Sequence, residues 1–196
     1  MIITIASFKG GVGKTTSAIH LAAYLQQKDS TLLIDGDQNR SATTWAAGGS
    51  LPFKVVSETQ APKYIRNFEH IVIDTQARPE QKDLEALADG CDLLILPTTP
   101  KALDLDALLR TVDVLSKLGA SFKVLLTIVP PPPSRSGAEA RQLLAESNLP
   151  VFRSEIKRLV AFERAPLEGV VVKDYADPRA LVAWQGYEDL GKEILP

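Results

Sequence analysis

The sequence predicts an α/β fold, a doubly wound, mostly parallel sheet with helices on both faces. Two observations lead there. Short runs of Ile, Leu and Val, bounded by Gly, Asp or Pro, recur along the chain, and continuous apolar runs of that length are the mark of parallel strands buried on both faces. Between them lie longer segments whose apolar residues repeat every three or four positions, and strand alternating with helix builds a parallel sheet.

Taken in order, Ile2 to Ala6 reads as the first strand, and Ala18, Leu21, Ala22 and Leu25 form one apolar stripe on the first helix. Thr31 to Ile34, Ile71 to Ile73, Leu93 to Leu96 and Lys123 to Val129 are further strands, with Phe53 to Val56 and Val151 to Phe152 as shorter candidates. Leu105, Leu108, Leu109, Val112 and Leu115 repeat the helical stripe, and Ala138 to Glu146 and Pro178 to Ile194 are helix candidates. Pro130-Pro131-Pro132-Pro133-Ser134-Arg135-Ser136-Gly137 supports neither a ladder nor a helix and reads as a stiff surface loop. It is too short for an interdomain linker, so residues 1–196 are expected to form a single domain.

A formal net charge of −2 excludes a uniformly basic nucleic-acid binder and leaves room for a local basic patch. The lone cysteine, Cys91, excludes an internal disulfide framework and any site built from several thiolates of one chain. No run of 18 apolar residues suggests a membrane span, and the N-terminus lacks the basic start of a signal peptide. A reduced, cytoplasmic setting is the expectation. His20 and His70 carry no metal-ligand spacing, and Trp45 and Trp184 read as packing residues.

The chemistry concentrates after the first strand, in Phe8-Lys9-Gly10-Gly11-Val12-Gly13-Lys14-Thr15-Thr16. Strand, glycine-rich turn, then helix is the context of a phosphate-binding P-loop. Glycines at 10, 11 and 13 let successive N–H groups point inward at phosphate oxygens, and the helix that follows adds its N-terminal dipole. Lys14 is expected to reach the β and γ phosphates of ATP, Thr15 to hold Mg²⁺, and Thr16 to meet the α-phosphate. Lys9 sits too early in the loop to aim at its own nucleotide. It is either a solvated rim lysine or a charge offered to a nucleotide held by a second copy.

Two carboxylates, Asp35 and Asp37, follow the second strand, where doubly wound sheets bind ligands. They suit the orientation of a Mg²⁺-bound or attacking water. His70-Ile71-Val72-Ile73-Asp74 is an apolar strand closing on an aspartate, the Walker B arrangement, with Asp74 as a magnesium residue.

Lys9 to Thr16 resembles the deviant Walker A motif of the ParA/MinD family of ATPases. Asp35-Gly36-Asp37-Gln38-Asn39 resembles that family's Asp-x-Asp-Pro-Gln motif, with Gln38 and Asn39 in place of Pro and Gln. Ala88-Asp89-Gly90-Cys91-Asp92, Leu103-Asp104-Leu105 and the stretch from Ile156 to Gly169 extend the similarity over nearly the whole chain, as in the compact ParA type. Thr75 resembles the start of the family's switch region, although Gln76-Ala77-Arg78 departs from its Pro-rich continuation.

The resemblance implies an ATPase that forms an ATP-bound homodimer, with Lys9 crossing to the partner's nucleotide. It makes Asp37 the residue that positions the hydrolytic water and puts Asp35 nearer the magnesium. It implies binding to nucleoid DNA without sequence preference, and a ParB-like or adaptor partner that stimulates hydrolysis. The cargo is then a plasmid or a large assembly such as a carboxysome. Candidate DNA contacts are Arg153, Lys157, Arg158, Arg164, Lys173 and Arg179. Where the family often reads adenine with an Asn, this chain has Thr127 and then prolines. Pro130 and Pro131 either pack against the base or only shape the loop.

Two other readings share the fold. A MinD-like membrane switch needs a basic amphipathic C-terminal helix, whereas Ala180 to Pro196 carries mostly acidic charges, so no stable membrane anchor is expected. A small metabolic P-loop enzyme would not normally carry a lysine at position 9.

Overall fold

The computed structural model describes residues 1–77, 85–87, 89–117 and 119–195. Arg78, Ala88 and Pro196, all named above, lie outside them. Seven strands form one sheet: β1 (Ile2–Ser7), β2 (Thr31–Gly36), β3 (Lys54–Ser57), β4 (His70–Ala77), β5 (Leu93–Thr98), β6 (Phe122–Val129) and β7 (Val151–Lys157). Their order is β3-β2-β4-β1-β5-β6-β7, and every neighbouring pair is parallel. The expected "mostly parallel" sheet is therefore wholly parallel among the described strands. Parallel neighbours require a crossover, and the helices that accompany the strands include α1 (Lys14–Gln26), α2 (Ser41–Ala46), α3 (Ala61–Tyr64), α4 (Ala102–Lys117), α5 (Ser136–Glu146), α6 (Ala161–Glu168) and α7 (Ala180–Ile194).

Alternation along each strand divides the core in two. Ile3, Ile5, Leu33, Val72, Ile95 and Leu125 face α1, α2, α6 and α7. Their neighbours Leu94, Leu96, Val124 and Leu126 face α4 and α5, while Leu32, Ile34 and Ile71 face α3. Of the apolar stripe read on α4, Leu105, Leu108, Val112 and Leu115 are buried, while Leu109 is only partly covered.

Helix α1 departs from the sequence expectation. One apolar stripe was expected, yet Ile19, Ala23 and Tyr24 are buried along with Ala18, Leu21, Ala22 and Leu25. The reason is that α7 covers the side away from the sheet: a Cβ on Gly191 of α7 would stand 2.2 Å from the Tyr24 ring. A helix covered all round is apolar all round.

The second departure is β7, a full strand where only two residues were expected. Its pairing with β6 is irregular between Val151 and Glu155, and side chains take up the freed polar groups. Glu193 of α7 accepts from the N–H groups of Arg153 (3.0 Å) and Ser154 (2.6 Å). Arg141 of α5 donates to the carbonyls of Phe152 (2.8 Å) and Arg153 (3.2 Å).

Candidate nucleotide-binding site

All the chemistry-bearing loops lie at the C-terminal ends of the strands, as expected for ligands of an open α/β sheet. The loop from Phe8 to Gly13 joins β1 to α1. Gly11 and Gly13 have φ of 77° and 84°, a region that residues with a Cβ rarely enter. No side chain caps α1, so its first N–H groups remain available to an anion.

Lys14, in the first turn, is 7% exposed. Burial pushes its pKa down, and the charges of Asp74 and then Asp37 oppose this. Asp74, within β4, which continues to Ala77, is fully buried and neither of its oxygens has a hydrogen-bond partner. Burial pushes its carboxyl up to about 7, and the Thr15 hydroxyl and Lys14 charge pull it back only in part. An orphaned buried carboxylate is costly. Next to a threonine hydroxyl and an anion-binding loop, it fits a hydrated divalent cation, which would bring the missing positive charge and the missing donors.

Asp35 differs from Asp74. It is also fully buried, but its Oδ2 accepts from the Thr43 N–H (2.8 Å) and hydroxyl (2.6 Å), and its Oδ1 accepts from the Asp37 N–H (3.2 Å). Its carboxylate braces the turn after β2 and the start of α2. Asp37 is half-exposed, and its Oδ1 accepts from the Asn39 N–H (3.1 Å) and side-chain amide (3.2 Å). Arg40, with φ of 52°, completes the turn by donating to the Asp35 carbonyl (2.6 Å). Asn39 and Arg40 thus fold this turn by hydrogen bonds, where a proline would fix it through its ring.

Lys9 does not float free on the loop rim. Its ammonium is paired with Asp104 in the first turn of α4, and Thr99 donates to the other oxygen of that carboxylate. Burial alone would raise the Asp104 carboxyl. The Lys9 and Thr99 hydrogen bonds and the Lys9 charge outweigh it and hold the carboxyl below its ordinary range. The Asp104 side chain is 6% exposed, while that of Lys9 is 39% exposed, so the lysine stays within reach of solvent.

A cavity of about 150 Å³ continues from Gly13 and Thr16 between the ends of β6 and β7. Its walls include Thr127, Ile128, Arg158, Leu159, Phe162 and Glu163. Pro130 and Pro131 do not line it. Ile128 holds φ at 51°, a strained backbone for a β-branched residue and of the kind that gathers at ligand sites.

Beneath the loop lies His20, wholly buried. Its Nδ1 is 2.7 Å from the Thr16 carbonyl, and its Nε2 accepts from the Val172 N–H at 3.0 Å. The ring stacks on Tyr187 (centroids 4.8 Å apart), meets Trp45 and Phe162 edge-on at 5.6 and 5.3 Å, and lies 6.5 Å from Trp184. Burial lowers its pKa to about 4, only partly offset by the bond to Thr16. It is a neutral structural histidine that ties α1 to the segment after α6.

Of the basic candidates, Arg158 and Arg179 line one surface cavity together with Asp177. Lys173 lies over the Trp184 ring, 5.1 Å from its centroid. Arg153 is elsewhere, 3.7 Å from Glu193. Asp104, Ile128, Ile156, Leu159 and Phe162 are site residues that the sequence reading did not assign. Asp104 stood out in one respect, since it precedes Leu105 and Leu108 on the apolar stripe of α4, where a carboxylate needs a partner.

The known proteins agree with this geometry. A family model described as the CobQ/CobB/MinD/ParA nucleotide binding domain matches residues 3–172. The chain is 35% identical to the maintenance of carboxysome distribution protein A of Gloeobacter kilaueensis, over 98% of this chain and 93% of that one. It is 26% identical to the protein of the same description from Halothiobacillus neapolitanus, over 87% and 85% of the two chains. Among solved structures, an ATP complex of McdA from Cyanothece superposes with a TM-score of 0.75, at 20% identity over 97% and 96% of the chains. The MinD cell division protein of Aquifex aeolicus gives 0.76, at 17% identity over 99% and 96%. With its phosphate loop, its buried Asp74 and a match over most of its length, the chain belongs to the CobQ/CobB/MinD/ParA family of nucleotide-binding proteins.

Proposed function

We propose that the chain is a positioning ATPase that uses ATP and Mg²⁺ to form a homodimer, binds nucleoid DNA without sequence preference, and distributes a large cargo. A carboxysome is the cargo that the relatives from Gloeobacter and Halothiobacillus suggest. The observation that carries the reading is the pairing of a complete phosphate grip with a second lysine, Lys9, that faces away from it toward Asp104. Gly10, Gly11, Val12 and Gly13 supply the cradle, Lys14 the phosphate charge, and Thr16 a contact beside the α-phosphate. Thr15 and Asp74 would hold the magnesium, which supplies charge neutralisation at the phosphates. Asp35 fixes the turn from which Asp37 orients water.

In the isolated chain Lys9 is held by Asp104, so delivering it to a partner's nucleotide requires that ion pair to open. The pair is an intramolecular competitor of the dimer. An adaptor of the ParB kind would act by stabilising the opened arrangement.

DNA contact falls to Lys157, Arg158, Arg164 and Arg179, all exposed; Lys157 and Arg158 line the cavity beside Gly13, and Arg158 and Arg179 line a second one. A MinD-like membrane helix finds less support. The apolar face of α7 (Ala183, Trp184, Tyr187 and Leu190) is buried in the core, and among the described residues no helix is long and apolar enough to cross a membrane.

The test is binding to duplex DNA of arbitrary sequence with ATP, with ADP and without nucleotide, across a salt series. Binding that needs ATP and falls steeply with salt is the expected result. Absence of binding in every nucleotide state rejects the DNA part of the reading, and vesicle binding under the same conditions would redirect it to a membrane.

A further inference from the structure

Besides the contacts of Lys9, with Asp104 through its side chain and with the Ser7 hydroxyl through its carbonyl, the phosphate loop is pinned at a further place. There the Thr127 hydroxyl of β6 lies 2.8 Å from the Val12 carbonyl and 3.1 Å from the Thr98 carbonyl of β5. All three residues are buried, Thr127 and Val12 at 2% exposure and Thr98 at 1%. A hydroxyl has a single proton to donate, and the shorter contact is the one to the loop. The link spans 115 residues of sequence and fastens β6, next to the β7 edge of the sheet, to the middle of the loop.

Its consequence follows from the planarity of the peptide. In a trans peptide the carbonyl of one residue and the N–H of the next point in opposite directions. Holding the Val12 carbonyl toward Thr127 therefore turns the Gly13 N–H to the opposite side of that peptide, away from Thr127. Gly13, at φ of 84° and without a Cβ, offers little resistance of its own to a flip of that peptide. Thr127 also packs beside it, since a Cβ built on Gly13 would stand 3.8 Å from the Thr127 Cβ.

We propose that Thr127 is a positioning residue for phosphate binding: its hydroxyl fixes the Val12–Gly13 peptide so that the Gly13 N–H is preorganised toward the anion. The proposal rests on the nucleotide-binding reading of the loop. It differs from a role in reading the base, which the place of Thr127 in the wall of the nucleoside cavity would equally allow.

The experiment is a titration of a fluorescent ATP analogue, with ADP and GTP as competitors, on the wild type and on Thr127→Val, Thr127→Ala and Thr127→Ser, alongside the Tm of each apo protein. Loss of the hydroxyl in Thr127→Val leaves a buried carbonyl without its donor and should weaken ATP and ADP alike by about tenfold or more. Thr127→Ser should recover most of that loss, and the preference for ATP over GTP should not change. If Thr127→Val does not fold, the ratio of Thr127→Ala to Thr127→Ser makes the same comparison of one hydroxyl without added bulk. Equal affinities across that pair overturn the proposal, as does a change in ATP-over-GTP preference without loss of ADP binding. Failure of the wild type to bind ATP would instead refute the nucleotide reading, and take the proposal with it.

Discussion

His20 makes the stability of this protein depend on acid in a direction and over a range that the structure fixes. The ring is wholly buried, and its pKa falls from the ordinary 6.5 to about 4 because burial penalises the charged form. The unfolded chain therefore binds a proton below 6.5 that the folded chain refuses, so stability falls with pH through that window. At about 1.4 kcal/mol per pH unit the loss is about 2 kcal/mol by pH 5 and about 3 kcal/mol by pH 4, after which both states are protonated and the effect stops. Asp74 runs the other way. Its carboxyl is raised to about 7, so the fold gains stability by taking up a proton as pH falls, and the wild type alone would show a blurred sum. The clean measurement is the difference between wild type and His20→Asn in urea unfolding followed by far-UV circular dichroism, from pH 7.5 to 5. His20→Asn lacks the titrating ring, so its stability deficit at pH 7.5 should shrink by about 2 kcal/mol at pH 5. Parallel curves across that range would refute the reasoning.

Asp74→Asn should raise the stability of the nucleotide-free protein at pH 8 by about 1–3 kcal/mol, because it removes a buried charge without donors. The same variant should lose the Mg²⁺-dependent part of nucleotide affinity, read by titration with and without the metal. Gly191→Ala drives a methyl into the Tyr24 ring and should cost about 1–3 kcal/mol, measurable as a fall in Tm; an unchanged Tm would show that α7 can move away from α1 freely. Asp37→Ala should bind ATP and accumulate as a dimer in size-exclusion chromatography, with hydrolysis lost; normal turnover would remove Asp37 from its water-orienting role. Lys9→Ala should abolish the ATP-dependent dimer while leaving nucleotide binding to the monomer within about threefold, and an unchanged dimer would end the cross-subunit assignment.

The order of strands and helices was legible in the sequence because apolar runs and stripes are local signals. The phosphate loop was legible for a similar reason, since Gly10 to Thr16 is one contiguous stretch whose glycines and lysine have few other uses. What escaped notice is made by contacts far apart in sequence. In the sequence Thr127 stands only where the family often reads adenine with an Asn, and it is the sheet order that brings β6 within reach of Val12. Asp104 enters the sequence reading only through the family likeness of Leu103-Asp104-Leu105, because its partner Lys9 stands 95 residues away. Asp35 and Asp74 were expected in the same magnesium role. Thr43 at the start of α2 distinguishes them by giving Asp35 two donors that Asp74 lacks. The cavity beside Gly13 and Thr16 is walled by the end of β6 and by the stretch from Ile156 to Glu163, segments that only the fold brings together.

The aromatic box around His20 gives the protein an optical reporter of its own. The chain has two tryptophans, and both stand at that one imidazole, Trp45 on α2 and Trp184 on α7. Indole emission from the entire molecule therefore originates at a single spot, where the first helix after the phosphate loop meets the helix that follows the Asp35–Asp37 turn. Any shift of α2 or α7 against α1 changes the packing of an indole on its neighbours. Nucleotide-driven rearrangement can thus be followed in real time by intrinsic fluorescence, with no dye attached to a surface that a second copy would need.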